Sequence, residues 1–152
     1  MKKLIALGLT VLLILSLAAC GGSSATVDTQ AFIAEIESSD VFNDNFQQQD
    51  ARGLSSVVKL DTGLFSDFYY AIGTGYSGEE YGVFTCNSKA DAETLEGQLQ
   101  ARCESLLSTY ASYNEEAIPK IENAVLKRSG QYVIFVIAAD YNGARTIVEK
   151  YI

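Results

Sequence analysis

The chain has 152 residues, 48 % of them hydrophobic, which is enough for one globular domain with its own core. Its formal net charge of −8 excludes the basic footprint of a nucleic-acid-binding protein. It contains no histidine, and this excludes a Ser-His-Asp triad, the usual zinc site and a simple pH switch near neutrality.

The N-terminus has the pattern of a secretory signal. Two lysines precede an apolar run over 4–17, and the small Ala18 and Ala19 follow directly before a cysteine. This arrangement resembles the lipobox of bacterial lipoproteins, which implies cleavage before Cys20 and attachment of fatty chains such as palmitate to its sulfur. The run is shorter than the about 20 residues needed to span a bilayer, which favours a cleaved signal over a transmembrane anchor.

Three regions are therefore expected: a signal peptide over 1–19, a lipidated cysteine and flexible tether over 20–28, and a single domain over 29–152. Because two of the eleven basic residues lie in the signal, the mature chain has nine basic and 19 acidic residues, a net charge of −10. Such a domain is repelled by an anionic membrane surface, so the lipid must do the anchoring. Two acyl chains give a stable anchor, which predicts a location at the extracytoplasmic face of the cell membrane.

Hydrophobic periodicity and turn residues predict the elements of the domain. The first is a helix that begins at Asp28 or Thr29 and carries Phe32, Ile33 and Ile36, and it continues through Val41, Phe42 and Phe46. A short strand or helical turn at 57–60 follows, then strands at 67–72 and 80–86 and a long helix from Asn87 or Ser88. The chain ends with a helical turn at Pro119, strands at 123–127 and 131–139, and a helix at 142–152.

The second half of the domain echoes the first at an offset of 51 residues, and each half reads strand, strand, helix. This predicts an α+β fold: a four-stranded, mostly antiparallel sheet with helices packed on it as a two-layer sandwich, plus the N-terminal helix. The stretch 132–138 is apolar without alternation, so its second face also needs cover. We expect the first helix and the Phe42–Phe46 segment to supply that cover, and an exposed face that receives a partner is the alternative.

Cys86 and Cys103 are expected to remain unpaired. Cys86 ends a predicted strand, and Cys103 lies about thirteen residues into the following helix, about 20 Å from its start. A disulfide needs Cα atoms within about 7 Å of each other. Two separate, mostly buried thiols are the prediction.

Several motif-like strings lack the context that their chemistry needs. Residues 73–78 match G-x-G-x-x-G, but a strand follows where a dinucleotide site needs a helix, so we interpret them as a hairpin connection. Residues 56–59 match S-x-x-K without the companion motifs of penicillin-recognising enzymes. The stretch 40–50 lacks the spacing of a calcium loop. No cofactor, metal or catalytic residue is therefore predicted.

Other residues leave the chemistry open. A glycosidase needs two carboxylates across a cleft, and the sequence does not show whether any of its acidic side chains converge. Tyrosines can stack on sugars, but those in predicted strands more often serve as core or cross-strand pairs. The carboxylates considered are Glu79, Glu80, Glu115, Glu116 and Asp140, and the strand tyrosines are Tyr69, Tyr70, Tyr81 and Tyr132.

Five stretches, taken together and in order, resemble the domain-of-unknown-function 4358 family of small bacterial lipoproteins. The resemblance extends over about Asp28 to Ile152, and it departs from the family pattern at Asn114-Glu115 and at Gly82. It implies a lipidated envelope protein with no assigned activity and supplies no catalytic residues. The stretches are 80–84, 113–116, 120–125, 130–133 and 139–140.

These features favour a non-enzymatic envelope module, anchored through its lipid, that binds a protein partner or a wall component beside the membrane. One alternative is a small cell-wall hydrolase that works through carboxylates. Another is an accessory solute-binding lipoprotein of a transporter, although the 133 residues left after cleavage are few for a two-lobed receptor.

The anchor can be tested with Cys20→Ala. We expect the variant to accumulate as an unlipidated precursor, because only the Cys20 thiol can form the thioether to the lipid. Metabolic labelling with a palmitate analogue, followed by intact-mass measurement, reports both the lipid and the cleavage. Lipid labelling equal to that of the unaltered chain would show that the anchor lies elsewhere.

Overall fold

The structure is a computed structural model that describes residues 26–112 and 114–152. The predicted signal peptide and Cys20 lie outside the described residues. Within the described part, no helix is long and apolar enough to cross a membrane. Val27 is already buried against the domain, and Asp28 caps the first helix.

Five antiparallel strands form one open sheet in the order β1-β2-β3-β5-β4, which confirms the α+β class and corrects the predicted count of four strands. The fifth strand is β1, in the segment expected to continue the first helix, and it pairs with the end of β2 at the sheet edge. The strands are β1 (Phe46–Gln48), β2 (Phe65–Gly73), β3 (Glu80–Cys86), β4 (Val125–Ser129) and β5 (Tyr132–Ile137).

Polar side chains fix the starts of the three main helices. Asp28, Ser88 and Asp140 each accept a hydrogen bond from a backbone N–H of the first helical turn, at 2.9–3.1 Å. The helices are α1 (Thr29–Glu37), α2 (Lys89–Tyr110), the short α3 (Ile118–Glu122) and α4 (Tyr141–Val148). Helical turns also occur at Ala51–Gly53, Leu54–Val58, Thr62–Leu64 and Glu115–Ala117. The turn at Leu54–Val58 is π-helical, so the stretch 57–60, expected as either strand or helical turn, begins in a helical turn.

Helices pack on both faces of the sheet, so the fold has three layers and not the two of a plain sandwich, and the first helix with the Phe42–Phe46 segment covers part of the second face, as expected. A separate hydrophobic core lies on each face of the sheet, and alternate residues of β5 point into opposite cores. Val133 and Phe135 belong to the first core, and Ile134 and Val136 belong to the second. The first core also contains α2 and the π-helical turn, and the second contains α1 and α4. This explains why β5 is apolar without alternation, and it excludes the exposed sheet face considered as a docking site.

Gly82 makes room for an aromatic stack in the first core. It lies between Tyr70 and Phe135 on the two neighbouring strands, whose rings stack with centroids 6.2 Å apart. A Cβ at this position would approach the Tyr70 ring to 2.4 Å and the Tyr69 carbonyl oxygen to 2.8 Å. Packing therefore explains why a glycine occupies this strand position.

Gly82→Ala is expected to lower the free energy of unfolding by about 1–3 kcal/mol, because the added methyl overpacks the Tyr70 ring. Urea titration followed by circular dichroism measures this change. Gly97→Ala is the matched control. Gly97 is an exposed residue of α2, and an added Cβ would meet nothing within 4 Å, so this substitution should stabilise the protein by about 0.5–1 kcal/mol. Equal effects of the two substitutions would contradict the packing argument.

Candidate functional site

A cleft of about 390 Å³ opens beside the second core, between the end of α1, the segment before β1 and strands β2 and β3. This volume lies within the range of small-ligand sites. Aromatic and polar side chains alternate around it. Its lining consists of Glu37, Ser39, Phe42, Asp44, Asn45, Phe46, Gln48, Tyr69 and Tyr81.

Four aromatic rings form one wall of the cleft. Phe42, Phe46 and Tyr81 contact one another with ring centroids 4.7–5.1 Å apart. Tyr69 stacks on Tyr81 at 5.8 Å from the neighbouring strand. The rings hold one another in place, so the wall is formed before any ligand arrives.

Glu37, the last residue of α1, orders the two tyrosines of the wall. Both hydroxyls donate to its Oε1, from Tyr69 at 2.5 Å and from Tyr81 at 2.7 Å. Burial raises the pKa of both tyrosines, and the hydrogen bonds to Glu37 add to the effect. Both phenols therefore stay protonated as donors, while the charge of Glu37 remains at the exposed rim of the cleft.

Residues 38–45, between α1 and β1, form the cleft segment, and Asp44 connects this segment to the glycine-rich loop 73–78. Its carboxylate accepts the Gly75 N–H at 2.9 Å and the Ser77 hydroxyl at 2.5 Å. A Cβ at Gly75 would come within 2.8 Å of this carboxylate, so the close approach requires glycine. The loop joins β2 to β3, which confirms the hairpin interpretation, and the anion that its backbone holds belongs to the chain itself.

Glu79 makes a second connection to the segment between α1 and β1, from inside the protein. Its side chain is fully buried, accepts the Asn43 N–H at 2.9 Å and pairs with Lys120 Nζ at 2.7 Å. The Thr74 N–H donates to the Asn45 carbonyl oxygen at 2.8 Å, which adds a backbone link nearby. These contacts hold the segment between α1 and β1 in the extended course that lets Phe42, and Phe46 at the start of β1, face the cleft.

None of the five carboxylates considered from the sequence lines this cleft. Glu80 is buried in the first core, where it pairs with Arg102 and accepts the Tyr70 hydroxyl at 2.6 Å. Glu115 and Glu116 are exposed in a helical turn, and Asp140 caps α4. Their roles in the described structure are those of ion pairs, surface charges and a helix cap.

The remaining predicted residues lie away from the cleft as well. Ser56 of the S-x-x-K string donates its hydroxyl to the Arg52 carbonyl oxygen at 2.7 Å, and Lys59 ends the π-helical turn. Cys86 and Cys103 are unpaired, as predicted, and burial raises the pKa of each thiol to about 11. Within 26–112 and 114–152, no group of three or more cysteine, aspartate or glutamate side chains is arranged to hold a metal ion.

Sequence reasoning missed most of the cleft. Phe42 and Phe46 were expected in a helix, and Glu37 was not singled out. Tyr69 and Tyr81 were expected as core or cross-strand residues; their rings do stack between neighbouring strands, as diagonal neighbours, but they also line the cleft. Only Phe42 and Phe46 are apolar in this stretch, and their spacing of four residues fits a helical turn as well as extended chain, so the sequence carried no signal that could have found the cleft.

The fold and the cleft define a small α+β domain with a preformed cleft lined by aromatic and acidic side chains. The sequence model of a family described as a domain of unknown function, DUF4358, matches residues 39–138, and the chain belongs to this family. The matched part contains the segment before β1, the glycine-rich loop and all five strands. No curated protein and no solved structure matches the chain.

Asp44→Asn tests the fastening of the cleft segment. Burial works to raise the pKa of Asp44, but the hydrogen bonds from Ser77, Gly75 and Asn45 outweigh it, and the pKa is lowered. The carboxylate therefore stabilises the fold above its ordinary pKa of about 4, and that contribution is lost as the pH falls through the lower native value. We expect the variant to lose about 1–2 kcal/mol of unfolding free energy at pH 7 and less at pH 3.

Urea titrations at both pH values measure this difference. Asp40→Asn is the control, because it removes the same charge from an exposed residue four positions earlier. An Asp44→Asn effect that is equal at the two pH values would show that the charged hydrogen bonds do not hold the segment.

Proposed function

We propose that this protein is a lipid-anchored, non-enzymatic binding module at the extracytoplasmic face of the cell membrane, and that its cleft takes a small ligand. The observation that carries the proposal is the preformed aromatic wall beside polar and acidic side chains, which is the usual composition of a small-ligand site. The expected anchor at Cys20 and the short tether would keep this cleft close to the bilayer. Envelope or cell-wall material is therefore the source of ligand that we favour.

The carboxylates of the cleft favour binding over hydrolysis. Carboxylate-dependent glycoside cleavage needs two acidic side chains that face a substrate from opposite sides. Of the two that line the cleft, Asp44 is taken up by the glycine-rich loop, with both oxygens accepting hydrogen bonds. Only Glu37 then faces a ligand, which supports a binding protein over the alternative of a small hydrolase.

The domain also differs from a two-lobed solute receptor. Its described residues form one sheet, and the cleft lies beside that sheet rather than between two lobes. This supports a module that holds its ligand without closing over it.

A fragment screen by ligand-observed NMR tests the proposal, with the full-length chain in non-ionic detergent. We expect the fragments that bind to compete with one another for one site. Phe46→Ala should weaken them by about tenfold or more, because it removes part of the aromatic wall. The same spectra report turnover, since a hydrolase would convert glycoside fragments during the experiment.

Tyr76→Ala is the matched control, because Tyr76 is also aromatic, is 72 % exposed at the tip of the glycine-rich loop and does not line the cleft. Fragment binding that survives Phe46→Ala but is lost in Tyr76→Ala would place the site elsewhere. Steady conversion of a glycoside fragment would favour the hydrolase.

A further inference from the structure

The cleft carries negative charge without a cation to balance it. Two of its nine lining residues, Glu37 and Asp44, are acidic, and none is lysine or arginine. Asp44 is satisfied by the N–H and hydroxyl groups of the loop. Glu37 has only the two tyrosine hydroxyls, both on Oε1, and its Oε2 accepts no hydrogen bond from any residue in 26–112 or 114–152.

Within the described structure, five of the 19 carboxylates pair with a cation of the chain, and Glu37 is not among them. Both fully buried carboxylates have a basic partner, and three more exposed ones do as well. The five are Glu35, Glu79, Glu80, Glu96 and Glu149, with Lys150, Lys120, Arg102, Arg128 and Lys127 respectively. The cleft therefore has open space beside an ordered carboxylate. In the five ion pairs, a lysine or arginine of the chain occupies the corresponding place.

The aromatic wall favours the same kind of ligand. The faces of phenylalanine and tyrosine rings attract a cation that lies within about 6 Å of the ring centroid. Tyr81 is only 2 % exposed, so a cation would meet the wall at its half-buried rings, those of Phe42, Phe46 and Tyr69. A neutral sugar would also stack on these rings and could donate a hydroxyl to Glu37, but it would not balance the negative charge of the cleft.

The geometry points to an organic ammonium ion as the ligand of this cleft, with its cationic head against the half-buried ring of Phe46 and beside the carboxylate of Glu37. This inference rests on the proposed small-ligand function and specifies its chemistry. Glu37 acts as the counter-ion, while Tyr69 and Tyr81 position it through their hydrogen bonds. No covalent step is involved.

A pair of probes with the same shape separates charge from hydrophobicity. Choline carries a trimethylammonium head, and 3,3-dimethylbutan-1-ol replaces its nitrogen with carbon and has no charge. The chain has nine tyrosines and no tryptophan, so tyrosine emission and calorimetry can follow the titration of the full-length protein in non-ionic detergent. We expect saturable choline binding and at least about tenfold weaker binding of the neutral alcohol.

Glu37→Gln is the decisive variant, because the glutamine oxygen can still accept both tyrosine hydroxyls while the charge is lost. Choline binding should weaken by about fivefold or more, and binding of the neutral alcohol should stay within about twofold. Glu93→Gln, an exposed residue of α2 outside the cleft lining, removes the same charge and should leave both affinities unchanged. Unfolding midpoints of the variants show that the fold is retained.

Each result has a distinct meaning. Equal affinity for the two probes, or choline binding that survives Glu37→Gln, overturns the ammonium inference and leaves the small-ligand function standing. Binding of N-acetylglucosamine in the cleft, together with no binding of choline, also overturns the ammonium inference and leaves the small-ligand function standing. If neither choline nor any screened fragment binds the cleft, both the inference and the proposed function fail.

Discussion

Glu79 joins three parts of the chain that are distant in sequence. It follows the glycine-rich loop, and its buried carboxylate binds the Asn43 N–H before β1 and the Lys120 ammonium of α3. Removing one partner of a buried ion pair typically costs about 3–5 kcal/mol, because the remaining charge is left without compensation. The course of the cleft segment, and with it the positions of Phe42 and Phe46, depends on this interaction and on the parallel fastening through Asp44.

The glycine-rich loop shows why a motif needs its context. Backbone N–H groups and closely spaced glycines can cradle an anion in any fold, and here the anion is the carboxylate of Asp44. Gly73 and Gly75 both lie where a Cβ would collide with that carboxylate, at 2.6 and 2.8 Å. The physical reason for the glycines is thus the same as in a phosphate site. The following strand, visible in the sequence, correctly predicted that the loop serves a hairpin.

Most of the fold could be predicted because its elements carry strong local signals. The strand Glu80–Cys86 has the predicted bounds, and Ser88, one of the two residues expected to open the long helix, caps it. The main error was at Phe42 and Phe46. Their spacing of four residues fits both a helical turn and an even number of strand positions, so the pattern could not decide. The strand there has only three residues and is fixed by pairing with β2, which is a contact no local pattern contains.

The cleft exists because the helices do not extend over the whole second face of the sheet. α4 contacts β4 and β5, and α1 contacts β3, so the end of the sheet formed by β1 and β2 receives less cover from them. Aromatic side chains from the segment before β1 and from β2 and β3 fill this region instead.

The same rings therefore serve as packing and as a binding surface. Tyr81 is only 2 % exposed and belongs to the second core, yet it also lines the cleft. Each ring of the wall is immobilised by its neighbours or by Glu37 before a ligand arrives. Since ordering a mobile side chain on binding typically costs about 0.5–1.5 kcal/mol, a wall already ordered by folding avoids most of that cost. The prediction of these residues as core was thus right about their packing, and the sequence could not show that one side of that packing remains open.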